Sequence, residues 1–191
     1  MKRLRAFIAI EISGPVKESL QRIQDSFRRL GDRVGWVKPA GMHLTLKFLG
    51  EIEETMIPPI SEAISRTCAG REPFMLHLAG VGVFPGAKCP RILWAGVAQG
   101  EEQLRSIFSR LDPLLERIGF PQEKRVFHPH VTLGRIKALH DRRRFVAHAA
   151  ENREVDVGSM MVEAVHLTES RLRSEGAEYR IRFTSSLKIL R

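Results

Sequence analysis

The chain has 191 residues, 43% apolar and 28% charged, with 31 Lys and Arg against 22 Asp and Glu and a formal charge of +9. That length suits one substantial globular unit, and without a Pro, Gly or Ser tract long enough for a linker the composition sets aside a disordered chain and predicts a single domain over residues 1–191. The basic excess favours a polyanionic partner, nucleic acid first, while Cys68 and Cys89, the only cysteines and in no C-x-x-C pair, set aside a disulfide or zinc framework.

The run LRAFIAIEI, Leu4 to Ile12, is apolar and β-rich and predicts a central strand. Its apolar stretch stops at Glu11, shorter than a signal-peptide core and far short of the ~20 residues of a membrane span, so a cytoplasmic protein without membrane contact is expected. From Gly14 to Leu30, Val16, Leu20, Ile23, Phe27 and Leu30 form one helical stripe, with Ser13 as cap and Pro15 in the first turn. RVGWVKP leads to a strand from His43 to Leu49. A second helix carries Ile57, Ile60, Ile64, Thr67 and Cys68 on one face and ends at Gly70. FMLHLAGVGVF and RILWAGV then predict a hairpin around PGAKCP.

A third helix spans Glu101 to Ile118, where Pro113 predicts a kink or a restart capped by Asp112. GFPQEKRVFHP is a loop delivering a strand from His130 to Ile136, the arginine-rich HDRRRFVAHAA is a short helix, and the last strands flank a turn at Ser174 to Gly176. Strand pairs without crossover helices argue against a parallel sheet. The prediction is an α+β fold, mostly antiparallel, with two related lobes dividing near residues 80 to 100.

The two lobes share one local signature. HLTLKFLG runs from His43 to Gly50, and 87 positions after His43 the chain writes HVTLGR from His130 to Arg135. Alternation along a strand puts His43, Thr45 and Lys47 on one face and Leu44, Leu46 and Phe48 on the other. In the second copy His130, Thr132 and Gly134 share a face, with Arg135 opposite unless the strand bulges at Gly134. Two His–Thr pairs facing each other suit a phosphoryl centre, which needs a base on the attacking oxygen and an acid on the departing one. Imidazole titrates near neutrality and serves either part, and threonine hydroxyls can donate to the non-bridging oxygens.

Any one histidine in such a strand is ordinarily structural; the repeat favours function. A metal site built on HPH, His128 to His130, lacks an Asp, Glu or Cys at ligand spacing, and neither a metal nor another cofactor is expected. His128 instead shapes the approach to the strand. His77 and His166 fall in strand-like runs as core or edge residues, His140 and His148 on the arginine-rich helix, and Arg142 to Arg144 form a solvated helix face. With no heptad or exposed apolar helix, a monomer without an obligate protein partner is expected.

Taken with RAFIAIEI, the context WVKPAGMHLTLKFLGEI, GVFPGAKCPRILWAGV and FHPHVTLGR, nearly the whole chain resembles the bacterial and archaeal RNA 2′,3′-cyclic phosphodiesterases, also described as 2′-5′ RNA ligases, of the two-histidine phosphoesterase superfamily. The resemblance implies a bilobal fold with antiparallel sheets lining a cleft. It implies metal-independent hydrolysis of RNA 2′,3′-cyclic phosphate ends, or cyclic nucleotides, to 2′-phosphates, with His43 as acid, His130 as base, and Thr45 and Thr132 on the phosphate. Phe48 and Arg135 match motif positions as possible RNA contacts; alternation directs Phe48 to the core and makes Lys47 an equal candidate. Where relatives carry a proline-glycine-proline-like turn before a tyrosine, this chain has LRSEGAEY, Leu172 to Tyr179. Two other activities suit the same residues: 2′-5′ RNA ligation in cells, and a non-catalytic module that holds RNA ends.

Overall fold

A computed structural model of the chain describes residues 3–173 and 176–188. Its first half runs β1 (Arg3–Glu11), α1 (Gly14–Arg28), β2 (Arg33–Trp36), β3 (His43–Glu53), α2 (Ile57–Cys68) and β4 (Phe74–Phe84). The second half repeats this order without a counterpart of β2, as β5 (Ile92–Gln99), α3 (Glu101–Glu116), β6 (Val131–Ala138), α4 (Arg142–Glu151) and β7 (Asp156–Val162), and β8 (Ala164–Arg173) and β9 (Gly176–Ser186) complete the chain. The turn expected at Ser174 to Gly176 falls partly on residues 174 and 175, outside those described.

The strands make the expected α+β architecture with antiparallel pairing throughout the sheet. Eight of them lie in the order β7-β4-β5-β6-β3-β1-β8-β9, and β2 adds to β6. The two halves of the sheet, β7-β4-β5-β6 and β3-β1-β8-β9, are continuous through a narrow seam where Leu44 of β3 pairs with Val131 of β6. Each half thus offers its seam strand, and its copy of the repeated motif, to the other.

Helices cover one side. α1 packs on β6 and β7 and α4 on β4, while α2 and α3 pack on β3, β5, β8, β9 and each other. Leu20 and Phe27 of α1, Ile60 and Ile64 of α2, Leu104 and Leu111 of α3 and Phe145 of α4 are sealed from water against Ile8, Leu44, Leu93 and Val131 of the sheet. At roughly 1.5–3 kcal/mol for each large apolar side chain fully removed from water, this layer dominates the fold's stability and holds the sheet rigid beneath its other, polar face.

Three local expectations need correction. α3 runs continuously through Pro113 and does not restart there. The carbonyl deprived of its partner there is that of Ser109, and Ser109 and Pro113 are both exposed, so water can replace the missing N–H. Asp112 is accordingly no cap; it is buried and paired with Lys47. Ser13 occupies the cap position of α1 without a side-chain cap bond, whereas Asp141 caps α4 by accepting from the Arg144 N–H at 3.1 Å. Finally, RVGW is itself strand β2, held along β6.

Candidate active site

Both copies of the motif contain the same irregularity. Along β3, Lys47 lies opposite Ile8 of β1 but Thr45 lies opposite Ala9, so Leu46 is an extra residue in the ladder. Along β6, Gly134 lies opposite Leu93 of β5 but Thr132 lies opposite Trp94, which makes Leu133 the extra residue. Such a bulge puts two successive side chains on one side and inverts the alternation beyond it. Leu46 and Lys47 are both buried, as are Leu133 and Gly134, and the next residues, Phe48 and Arg135, turn back to the face of the threonines.

This overturns the alternation reading at two positions. Lys47 does not stand beside His43 and Thr45: it is 7% exposed and its ammonium meets Asp112 Oδ1 at 2.5 Å and the Pro121 carbonyl at 2.7 Å. Phe48 is not a core anchor: its side of β3 faces solvent and it is 69% exposed. Arg135 reaches the face that the uninterrupted alternation denied it. A glycine is required at the buried step of the second bulge because β2 crosses there, and a Cβ on Gly134 would stand 2.5 Å from Val34 Cγ1 and 3.1 Å from Trp36 Cε3.

A cavity of about 460 Å³ opens on this face, and His43, Thr45, Phe48, Thr132 and Arg135 all line it, together with Arg5, Phe7 and Tyr179. Because the seam pairs Leu44 with Val131 in antiparallel register, the flanking residues fall in two crossed pairs, His43 beside Thr132 and Thr45 beside His130. His130 itself immediately precedes β6, with its ring against Phe84 at 5.1 Å and Trp94 at 6.2 Å. Trp94 in turn lies flat over Gly82, whose missing side chain makes room for the indole.

Each imidazole is influenced by the carbonyl two residues upstream. His130 Nδ1 bonds the His128 carbonyl at 2.7 Å, which requires the proton on Nδ1 and leaves Nε2 with its lone pair. The Gly41 carbonyl stands in the same sequence relation to the His43 ring and favours its protonated form. Phe7 stacks on His43 at 4.4 Å and Tyr179 meets its edge at 5.3 Å. Burial among these rings pushes His43 down to about 4 from 6.5, the Gly41 carbonyl opposing and Lys17 adding to the shift. Burial also lowers His130, against the bond to His128. Both shifts favour the neutral ring at pH 7.

The two bulges are anchored from below by different means. Lys47, under the first, joins Asp112 of α3 and the Pro121 carbonyl, and Asp112 also accepts from the Glu123 N–H at 3.0 Å, so the loop leading to His130 is tied to β3. Arg105 bonds the Phe127 carbonyl at 2.7 Å further along that loop. Under the second bulge, the amide of Gln24, wholly buried in α1, donates to the carbonyls of Leu133 and Val37, each at 2.8 Å.

Sequence reasoning missed Arg5, Phe7 and His166. The strand containing Arg5 and Phe7 reads as uniformly buried, although every second residue of it faces the polar side. His166 belongs to a second cavity of about 380 Å³ that shares Phe7, His43 and Tyr179 with the first, and its ring bonds Thr184 Oγ1 at 3.0 Å. His77, His140 and His148 lie elsewhere: His77 bonds Ser159, the His140 N–H bonds Asp32, and His148 bonds Ser26. Among the described residues no three His, Cys, Asp or Glu side chains are grouped so as to hold a metal ion, and no helix is long and apolar enough to cross a membrane.

A protein named RNA 2′,3′-cyclic phosphodiesterase from Methanothermobacter thermautotrophicus is 34% identical over 177 residues, 93% of this chain and 95% of that protein. One of the same name from Aeropyrum pernix is 36% identical over 161 residues, 84% of this chain and 90% of its own. A solved structure from Thermus thermophilus superposes with a TM-score of 0.77 at 30% identity, covering 96% of this chain and 98% of that one. The sequence profile described as LigT like Phosphoesterase matches twice, over residues 10–94 and 96–179, once for each copy of the motif. The chain thus belongs to the LigT-like phosphoesterase family.

Proposed function

We propose that this phosphoesterase hydrolyses the 2′,3′-cyclic phosphate at RNA ends, or in a cyclic nucleotide, to a 2′-phosphate, with no metal ion in the reaction. The observation that carries the reading is the crossed placement of two His–Thr pairs about the Leu44–Val131 seam. Relatives named RNA 2′,3′-cyclic phosphodiesterase at 34% and 36% identity support the choice of substrate.

In the proposed reaction a phosphate seated over the seam receives hydrogen bonds from Thr45 and Thr132 on its non-bridging oxygens, where charge accumulates. His130 Nε2, unprotonated because its Nδ1–H is committed to the His128 carbonyl, takes a proton from water as the new P–O bond forms. His43 gives its proton to the 3′ oxygen as the P–O3′ bond breaks, leaving a 3′-hydroxyl and a 2′-phosphate. Since burial holds His43 neutral at pH 7, the acid form depends on the bound phosphate, whose negative charge raises the imidazole pKa. With an RNA 5′-hydroxyl in place of water as the nucleophile, the same groups would break the P–O3′ bond and join the ends by a 2′-5′ bond.

The test is product identity. Purified protein incubated with a nucleoside 2′,3′-cyclic phosphate in excess chelator is expected to release the 2′-phosphate, and His43→Ala and His130→Ala each to lose about 10²- to 10⁴-fold in rate. A 3′-phosphate product, activity abolished by chelator, or either variant at near full rate would refute it. Salt-sensitive RNA binding without product would favour a non-catalytic end-binding module instead.

A further inference from the structure

The two halves of the sheet differ beside their histidines. The residue opposite the motif threonine is Ala9 on β1 in the first half and Trp94 on β5 in the second. One strand further out, Ala9 is paired with His166 of β8 and Trp94 with Gly82 of β4. Around His130 the space is filled, since the indole lies over Gly82 and stacks with Phe84 at 4.8 Å. Around His43 it is not. Ala9 offers only a methyl group, and Thr168 stands where the second half has Phe84. The His166 ring leans outward to Thr184 Oγ1 at 3.0 Å. What remains is the cavity of about 380 Å³.

The walls of that cavity select a chemistry. Phe7, Met42 and Tyr179 supply apolar and aromatic surface, while Thr168, His166 and Glu11 supply hydrogen-bonding groups. A flat ring system with a polar edge suits such walls, just as an indole occupies the equivalent place in the other half. Phe7, His43 and Tyr179 also line the cavity over the seam, so a bound molecule can extend from one cavity into the other. Arg180 adds an exposed cation at the rim. Single-stranded nucleic acid has this form: bases that stack on aromatic side chains, joined by a backbone that cationic side chains follow.

We infer that the cavity beside His43, open because Ala9 stands where the second half has Trp94, is a second nucleobase subsite that holds the base of the nucleotide preceding the cyclic end. The inference rests on the reaction proposed above, in which the reacting phosphate and its own nucleoside occupy the larger cavity. From a 2′,3′-cyclic end the RNA continues only through its 5′ oxygen, so the next unit along is the preceding nucleotide. The preferred substrate is therefore an RNA end of at least two nucleotides, with a base present on the second.

The experiment compares kcat/KM for three substrates: a nucleoside 2′,3′-cyclic phosphate, a dinucleotide with the same cyclic end, and that dinucleotide with its 5′ residue made abasic. The complete dinucleotide is expected to be preferred about 10-fold or more over both others, the scale of one stacked base. The two dinucleotides carry the same charge, so the difference between them should persist as salt rises from about 50 to 200 mM. Ala9→Trp places in the first half the ring that the second already has, and should collapse the ratio of complete to abasic dinucleotide. Ile181→Trp, at the 44% exposed rim on β9, should do the same without adding bulk to the core. Met161→Trp, which adds the same ring at an exposed position on β7, should leave the ratio unchanged. Equal kcat/KM for the two dinucleotides, or a ratio unaltered in folded Ile181→Trp, overturns the subsite, while hydrolysis of the mononucleotide leaves the underlying reaction standing. Absence of turnover with every substrate overturns both.

Discussion

Lys47 and Asp112 meet at 2.5 Å beneath the first motif, 7% and 8% exposed, in a layer otherwise closed to water. Lys47→Met removes the ammonium and leaves Asp112 a buried carboxylate holding only the Glu123 N–H. Breaking a buried pair from one side costs about 3–5 kcal/mol, whereas removing both charges is much less harmful. Urea denaturation is therefore expected to show Lys47→Met destabilised by that amount, and Lys47→Met with Asp112→Leu to recover more than half of it. A single variant within about 1 kcal/mol of the parent would mean that the pair does not anchor the loop.

The same pair shows where the sequence was legible and where it was not. Composition, helical stripes and strand runs were enough for the α+β antiparallel fold, and the repeated His-x-Thr-Leu was enough to single out His43, Thr45, His130 and Thr132. What period-two alternation could not supply was the extra residue after each threonine, because Leu46 and Leu133 look like any other inward-facing leucine. A bulge is an arrangement between strands, fixed by register against Ile8 and Ala9 or Leu93 and Trp94, and single-strand patterning does not contain it. Beyond that residue every side chain changes face. Hence Lys47 and Phe48 exchange the roles alternation gives them, and Arg135 arrives in the cavity. Gly134 was the one local sign, since glycine inside a strand often marks a bulge.

Burial of His43 ties folding to pH. The unfolded imidazole titrates near 6.5 and the folded one at about 4, so above pH 6.5 neither state holds the proton and His43 adds no pH dependence. As pH falls from 6.5 toward 4 the unfolded chain takes up a proton that the folded chain does not, and stability declines across that window. The loss is at most roughly 3 kcal/mol for a ring that keeps some contact with water, and it levels off below about pH 4. His130, also lowered, acts in the same direction. Denaturation between pH 7 and 4 should show a shallower decline for His43→Ala. An NMR titration of the free protein should place the His43 midpoint near 4 and move it upward when inorganic phosphate is added; an unchanged midpoint at saturating phosphate would remove the anion from the proposed proton balance.

Thr45 and Thr132 stand in crossed positions beside the opposite histidines, so each hydroxyl can serve the phosphate as charge builds on it. Replacing either with Val keeps the shape and removes the donor. Loss of one such donor is expected to lower kcat by about 10²-fold, up to 10³-fold, with a smaller change in KM. Because the two donors address the same phosphate, the double variant should fall well short of the product of the single effects. Steady-state rates for the three variants test this; a rise in KM with kcat preserved would make the threonines binding groups only.

Gln24 is the least conspicuous residue with a defined consequence. It belongs to α1, is wholly buried, and its amide is the side-chain donor to both the Leu133 and Val37 carbonyls. The Leu133 carbonyl sits at the second bulge and is also approached by the Val37 N–H at 3.0 Å. Gln24→Leu retains the volume but strips the Val37 carbonyl of this partner and leaves Leu133 with one. The cost expected from thermal or urea denaturation is about 1–3 kcal/mol. The sharper effect should be on register: without the amide holding both carbonyls, the bulge can relax toward a regular ladder, which would turn Arg135 away from Thr132. Turnover of a nucleoside 2′,3′-cyclic phosphate should then fall in Gln24→Leu even at temperatures where the variant is fully folded, because Arg135 lines the same cavity as Thr45 and Thr132. A variant destabilised to the same degree elsewhere in the core, such as Ile64→Val, should keep its turnover, and if both variants behave alike the amide has no part in placing Arg135.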